Sequence, residues 1–258
     1  MPLNPKNKFS LSHGSITHDV FFEGEGPAVI LMHELPGMTP GCLRAADRII
    51  ESGFKVFLPL FFGHPNEYSV VDGIFSTVLC IRHEFDIFTS NGTSPIAEWL
   101  RELCRMVDAN CGNRGVGLIG MCLTGNIVLS VMLEPAVRVP VMCEPALPFF
   151  HKAALGVPDA DVGQAKLRAA KFPILAFRFE TDNKCPKERF NTLRSTFGDN
   201  IRTVEIPTGP ENPFNIPKNA HSVLTGDYPD QDNPNHPVQH AFDEILLRFK
   251  RGLTARPS

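Results

Sequence analysis

The chain has 258 residues, 43% of them hydrophobic and 21% charged, with a formal net charge of −3. That length suits a single domain that can bury a core without disulfides or structural metal, and so weak a charge gathers neither nucleic acid nor an anionic membrane. The seven cysteines, at 42, 80, 104, 111, 122, 143 and 185, form no CxxC pair, which excludes a zinc knuckle or thioredoxin-like motif and reads as reduced thiols of a cytoplasmic protein.

The N-terminal MPLNPKNKFSLSHG lacks the apolar stretch of a secretory signal. Residues 17–22 predict a strand and 23–27 (EGEGP) a hairpin turn. The apolar run 28–32 (AVILM) predicts a strand covered on both faces. Leu43, Ala46, Ile49 and Ile50 recur at helical spacing over 41–52, and 55–58 (KVFL) is the next strand, closed by Pro59. Residues 61–95 are weakly patterned and are expected to be a loop-rich insertion with a short helix, placed to cover a site. Trp99, Leu100, Leu103 and Val107 mark an amphipathic helix over 96–109.

Residues 116–133 carry no charge, yet their glycines and polar residues split them into a strand (115–119), a turn (120–125) and a helix (126–132), which is buried core rather than a bilayer span. A strand over 138–142, a helix over 161–170, a strand over 173–179 and a helix from Pro186 to Phe197 follow. Then come a strand at 201–206, a proline-rich loop at 207–217 and a helix at 238–251. Alternation of strands and helices argues for an α/β fold: one domain over 1–258 with a mostly parallel sheet flanked by helices. Ligands of such sheets bind beyond the carboxyl ends of the strands.

One turn carries chemistry. Val116-Gly117-Leu118-Ile119-Gly120-Met121-Cys122-Leu123-Thr124-Gly125-Asn126 runs from an apolar strand into a helix, the layout of a nucleophile elbow, where small residues flank a strained nucleophile. The helix N-terminus favours a thiolate at Cys122 and offers the Leu123 N–H to an oxyanion. Thr124 stands where the elbow pattern has a second glycine, and its branched Cβ narrows the allowed geometry. The plain alternative is a small buried cysteine in a tight turn.

In hydrolases with this elbow the order is nucleophile, acid, histidine. Asp182, in a loop between a strand and the helix at Pro186, is the favoured acid, with Glu180 in reserve. His221 lies in the loop between the last strand and last helix and is the favoured base. His236 and His240 are spaced as a metal pair, but with no third ligand in pattern they read as solvated. His33 and Glu34 end the apolar strand 28–32, so the pair is placed for the site, with Glu34 poised to take the Cys122 proton or to hold the thiol neutral. Position 37 is glycine, so this is no HExxH zinc site. Leu35 N–H is the expected second oxyanion donor.

Taken in order, His33-Glu34 with Pro36-Gly37, the elbow at 120–125, the 182–186 segment and His221-Ser222 resemble the dienelactone hydrolase family of the α/β-hydrolase superfamily. The resemblance implies a Cys122–His221–Asp182 triad with Glu34 beside the cysteine, and hydrolysis of an unsaturated lactone ester through a thioester. It implies a substrate-facing place for Ser222, and Arg82 is a counterpart of one of two arginines that clamp a substrate carboxylate. The other clamp position is Thr225 here, so the reaction class transfers better than the substrate.

These readings make the chain an esterase or lactonase without cofactor or metal. Its expected partner is a small-molecule ester or lactone, not nucleic acid or membrane, and its expected state a monomer or small homo-oligomer. Two alternatives differ in kind: a non-catalytic small-molecule binding protein on the same fold, and a thiol redox sensor using Cys122.

Overall fold

The computed structural model describes residues 4, 6–65, 94–147, 152–210 and 212–254. Most of the expected 61–95 insertion lies outside them, as does Arg82. The described residues build one eight-stranded sheet: β1 (Lys8–His13), β2 (Ile16–Glu23), β3 (Ala28–Met32), β4 (Lys55–Pro59), β5 (Val116–Met121), β6 (Val137–Cys143), β7 (Ile174–Phe179) and β8 (Ile201–Ile206). The helices among them are α1 (Pro40–Glu51), α2 (Pro95–Asn110), α3 (Leu123–Val131), α4 (Asp159–Ala169), α5 (Lys187–Phe197) and α6 (Pro237–Leu253).

Strand order is β1-β2-β4-β3-β5-β6-β7-β8. β1 and β2 form an antiparallel hairpin, β2 pairs antiparallel with β4, and every pair from β4 to β8 is parallel. The hairpin turn therefore lies at Gly14 and Ser15 and not at 23–27, because β4 separates β2 from β3. The sequence pattern does not predict β1: Phe9 and Leu11 alternate with polar residues, but this edge strand has no fully buried residue, and two apolar positions are too short a pattern to mark a strand.

Side chains alternate faithfully across the central strands. Ala28, Ile30 and Met32 of β3 join Val116 and Leu118 of β5 on one face, under α2, α3, α4 and α5. Val29 and Leu31 join Ile119 and Met121 on the other, under α1 and α6. Burial on both faces is why these strands read as unbroken apolar runs. Three helices share a start signal: Thr39, Ser94 and His236 cap α1, α2 and α6, each with proline next. A side-chain acceptor satisfies an orphan amide, and proline has none to leave unpaired.

The sheet reverses its direction of growth at β3. The chain lays β4 on one side of β3 and then crosses to lay β5 on the other. Such a switch point opens a crevice between two strand ends, where ligands of open α/β sheets bind. Met32 of β3 is in register with Gly120 of β5, so Glu34 and Cys122 each stand two residues past the same rung.

Candidate active site

The site begins with backbone geometry. Cys122 holds φ 53° and ψ −117°, a left-handed conformation that costs a non-glycine residue about 1–3 kcal/mol and is kept only where surroundings over-determine it. Here Cys122 N–H donates to Cys143 O at 3.0 Å, and its carbonyl accepts from Gly125 N–H at 3.0 Å and Ala146 N–H at 2.9 Å. The elbow is thus clamped to the end of β6.

Glycine is required on either side. A Cβ on Gly120 would lie 2.4 Å from Thr124 O, and one on Gly125 would lie 3.0 Å from Cys143 O. Thr124 is accommodated because its hydroxyl is useful. Oγ1 accepts from Met121 N–H at 2.9 Å and reaches Met121 O at 2.9 Å and Met32 O at 3.1 Å. The side chain thereby bridges the ends of β3 and β5, where a second glycine would bond to neither.

The turn is also shorter than the glycine spacing suggests. α3 starts at Leu123, directly after the cysteine, and all its residues are buried. Leu123 N–H is therefore a first-turn amide without an intrahelical partner, beside the Cys122 sulfur.

Three other segments converge on Cys122. The Asp182 carboxylate follows β7 and is buried; its Oδ2 lies 2.6 Å from His221 Nδ1, and its Oδ1 accepts from Lys184 N–H at 2.9 Å. Asp182 is both turn residue and histidine partner, one oxygen for each. Glu180 is exposed and stays outside the site. With Nδ1–H donated to Asp182, His221 Nε2 keeps the lone pair, and it is buried with no hydrogen-bond partner among the described residues. Sγ of Cys122, a carboxylate oxygen of Glu34 and a ring nitrogen of His221 lie within 4.8 Å of one another.

Glu34 is buried and held on both oxygens. Ser222 Oγ donates to Oε2 at 2.8 Å and Thr225 Oγ1 donates to Oε1. Ser222, expected to face substrate, here positions Glu34. Thr225, at the place of a clamp arginine, does the same. Leu35 follows Glu34 at the rim, half-exposed, with a cis bond to Pro36. His33 departs from expectation. It is buried against Phe61 and Phe62, donates from Nδ1 to Glu34 O at 3.1 Å and accepts Phe61 N–H at 3.1 Å. Burial pushes its pKa down to about 4, and it braces the loop from the core side. His236 is likewise not solvated but buried, accepting Val238 N–H at 3.2 Å as the cap of α6; His240 is exposed.

The electrostatics oppose a resting thiolate. Burial pushes the Cys122 thiol up, and the nearby Glu34 and Glu144 push it further, against the Leu123 N–H. Glu144 gave no signal in the sequence. It follows β6, is fully buried at φ 35°, and accepts Val223 N–H at 3.0 Å, tying the His221 loop to the elbow. Burial first, then the Glu34 charge, holds its carboxyl well above the usual range. Tyr228, also unsignalled, donates its hydroxyl to Ser222 O at 2.8 Å.

The comparisons with known proteins point to one family. The family model described as the dienelactone hydrolase family matches residues 20–222. No curated protein matches the chain. Among solved structures, a dienelactone hydrolase-like promiscuous phosphotriesterase from metagenomic libraries is 13% identical with a TM-score of 0.63, over 95% of this chain and 97% of its own. A cold-adapted esterase from an Arctic intertidal metagenomic library is 13% identical, TM-score 0.62, over 98% and 100%. The dienelactone hydrolase of Anabaena variabilis is 14% identical, TM-score 0.58, over 95% and 97%. At these identities the structures speak to the fold. With the family model spanning the sheet from β2 to the histidine loop, the chain belongs to the dienelactone hydrolase family and is a carboxylic ester hydrolase of the α/β-hydrolase fold.

Proposed function

We propose that this hydrolase cleaves a small ester or lactone by attack of the Cys122 sulfur, through a thioester intermediate. The observation that carries the reading is the convergence of Glu34, Cys122 and His221 within 4.8 Å, with Asp182 behind the imidazole. The substrate carbonyl enters beside Cys122 with its oxygen toward the Leu123 and Leu35 amides. Glu34 or His221 Nε2 takes the thiol proton as sulfur bonds to the carbonyl carbon. That proton passes on to the leaving alkoxide as its bond to the carbonyl carbon breaks, and the thioester remains. His221, oriented by Asp182, then draws a proton from water, which displaces the thiol.

Cysteine acyl-enzymes form readily from activated esters and lactones, so simple amides fall outside the expected range. Thr225 bonds to Glu34 where the family's clamp has an arginine, which favours substrates that do not depend on that carboxylate contact. A redox-sensor role is disfavoured on charge: sensors need an accessible thiolate, and this thiol is pushed the other way. A pure binding protein would have no use for an imidazole tied to a buried carboxylate beside a strained cysteine.

Aryl esters and unsaturated lactones offered to wild type and Cys122→Ala in parallel test the reading. Turnover by wild type that is lost in the variant is expected. Equal turnover in both would discard the cysteine mechanism.

A further inference from the structure

Zinc and similar ions are bound by thiolate, imidazole and carboxylate at about 2.0–2.3 Å, and sites with three protein ligands keep a fourth position open. Cys122, His221 and Glu34 supply one donor of each kind within 4.8 Å of one another. Around a tetrahedral ion with such bonds the donors stand roughly 3.3–3.8 Å apart. The cluster therefore needs a contraction of at most about 1–1.5 Å, the scale of small side-chain rotations.

The support around the donors is what a metal site needs. A ligating histidine characteristically gives its other N–H to a carboxylate, which sets tautomer and ring direction. His221 does this with Asp182, and its Nε2 is the buried nitrogen left without a partner, in a side chain only 10% exposed. Glu34 is held by the Ser222 and Thr225 hydroxyls, and each carboxylate oxygen retains a second lone pair. The Glu34 carboxylate within 4.8 Å of the Cys122 sulfur supplies negative charge that favours a dication there.

We propose that Glu34, Cys122 and His221 also form a binding site for a soft divalent cation, Zn2+ first among them, and that its occupancy switches the hydrolase off. On binding, the Cys122 thiol gives its proton to solvent and a sulfur lone pair forms the bond to the ion; no electron is transferred. The same event occupies the nucleophile and the Nε2 lone pair that hydrolysis requires. The binding half stands on geometry alone, whereas the switching half rests on the proposed function.

Cobalt(II) is the probe, because thiolate ligation gives a near-ultraviolet charge-transfer band and a tetrahedral field an intense visible one. Titration of Co2+ into the metal-stripped full chain is expected to raise both bands to saturation at one equivalent. Cys122→Ala loses the thiolate band, His221→Ala binds at least tenfold more weakly, and Asp182→Asn binds roughly 10–100-fold more weakly through the lost outer contact. Cys111→Ala, at the other partly exposed cysteine among the described residues, leaves the bands unchanged. Ester hydrolysis falls at least tenfold at saturation with Zn2+ and returns with chelator. Absence of a thiolate band, or its persistence in Cys122→Ala, would overturn the site. Bands with undiminished hydrolysis would overturn the switch. Bands in a folded protein that hydrolyses no ester would uphold the site and count against the proposed function instead.

Discussion

At the scale of single residues, magnitudes decide the state of Cys122. A helix N-terminus stabilises a nearby anion by about 0.3–1 kcal/mol, up to ~2 in partly buried geometries. Moving a charge out of water costs several kcal/mol, and two carboxyl groups add to that here. Burial wins, so the thiolate expected from the helix end gives way to a resting thiol, which the proposed mechanism deprotonates only as substrate arrives. In the proposed mechanism Glu34 or His221 takes that proton, and Asp182 Oδ2, 2.6 Å from His221 Nδ1, orients the imidazole. Asp182→Asn should lower kcat by roughly 10³–10⁴-fold, by analogy with triads that lose this carboxylate, while the thermal midpoint moves little. A loss of less than tenfold would leave the imidazole without need of its partner. The convergence of Cys122, Asp182, His221 and Glu34 was legible because chain order and strand ends constrain their positions. Glu144, Thr225 and Tyr228 were not, since each acts through a contact between segments distant in sequence.

At the scale of elements, the elbow is where local sequence and packing agree most closely. Gly120 is crowded by the Thr124 carbonyl and the Val128 side chain, so Gly120→Ala must push the helix from the strand. A destabilisation of about 1–3 kcal/mol is expected from such overpacking, read as a fall in the midpoint of chemical denaturation. An unchanged midpoint would show that the turn has slack. The same element explains two departures from the pattern. Paired glycines suggested a turn through residue 125, yet only Cys122 is non-helical between β5 and α3. Threonine in a glycine position looked like a narrowing of the elbow, but its hydroxyl bridges two strand ends.

At the scale of the whole molecule, the switch point between β3 and β5 positions the candidate site, and a buried core packs on each face of those two strands. Buried apolar runs made that architecture legible; the edge strand β1, with little to bury, stayed hidden. His33 links this scaffold to pH. Its pKa of about 4 in the fold lies below its ordinary 6.5, so between these values the unfolded chain takes up a proton that the folded chain refuses. Stability should therefore be fully present above about pH 6.5, fall as pH drops towards 4, and level below it, by at most about 3 kcal/mol. In His33→Gln this part of the slope should disappear, as denaturation midpoints across that range will show. A parallel slope in both proteins would place the effect elsewhere. Among the described residues no helix is long and apolar enough to cross a membrane.

In the proposed mechanism the acyl group passes through the Cys122 sulfur. Rapid acid quench of the enzyme during turnover of an activated aryl ester, followed by peptide mass spectrometry, tests it most directly. An acyl mass increment is expected on the peptide containing Cys122, absent without substrate and labile to hydroxylamine. Turnover with no acylated Cys122 at any quench time, or with the increment on another residue, would contradict it.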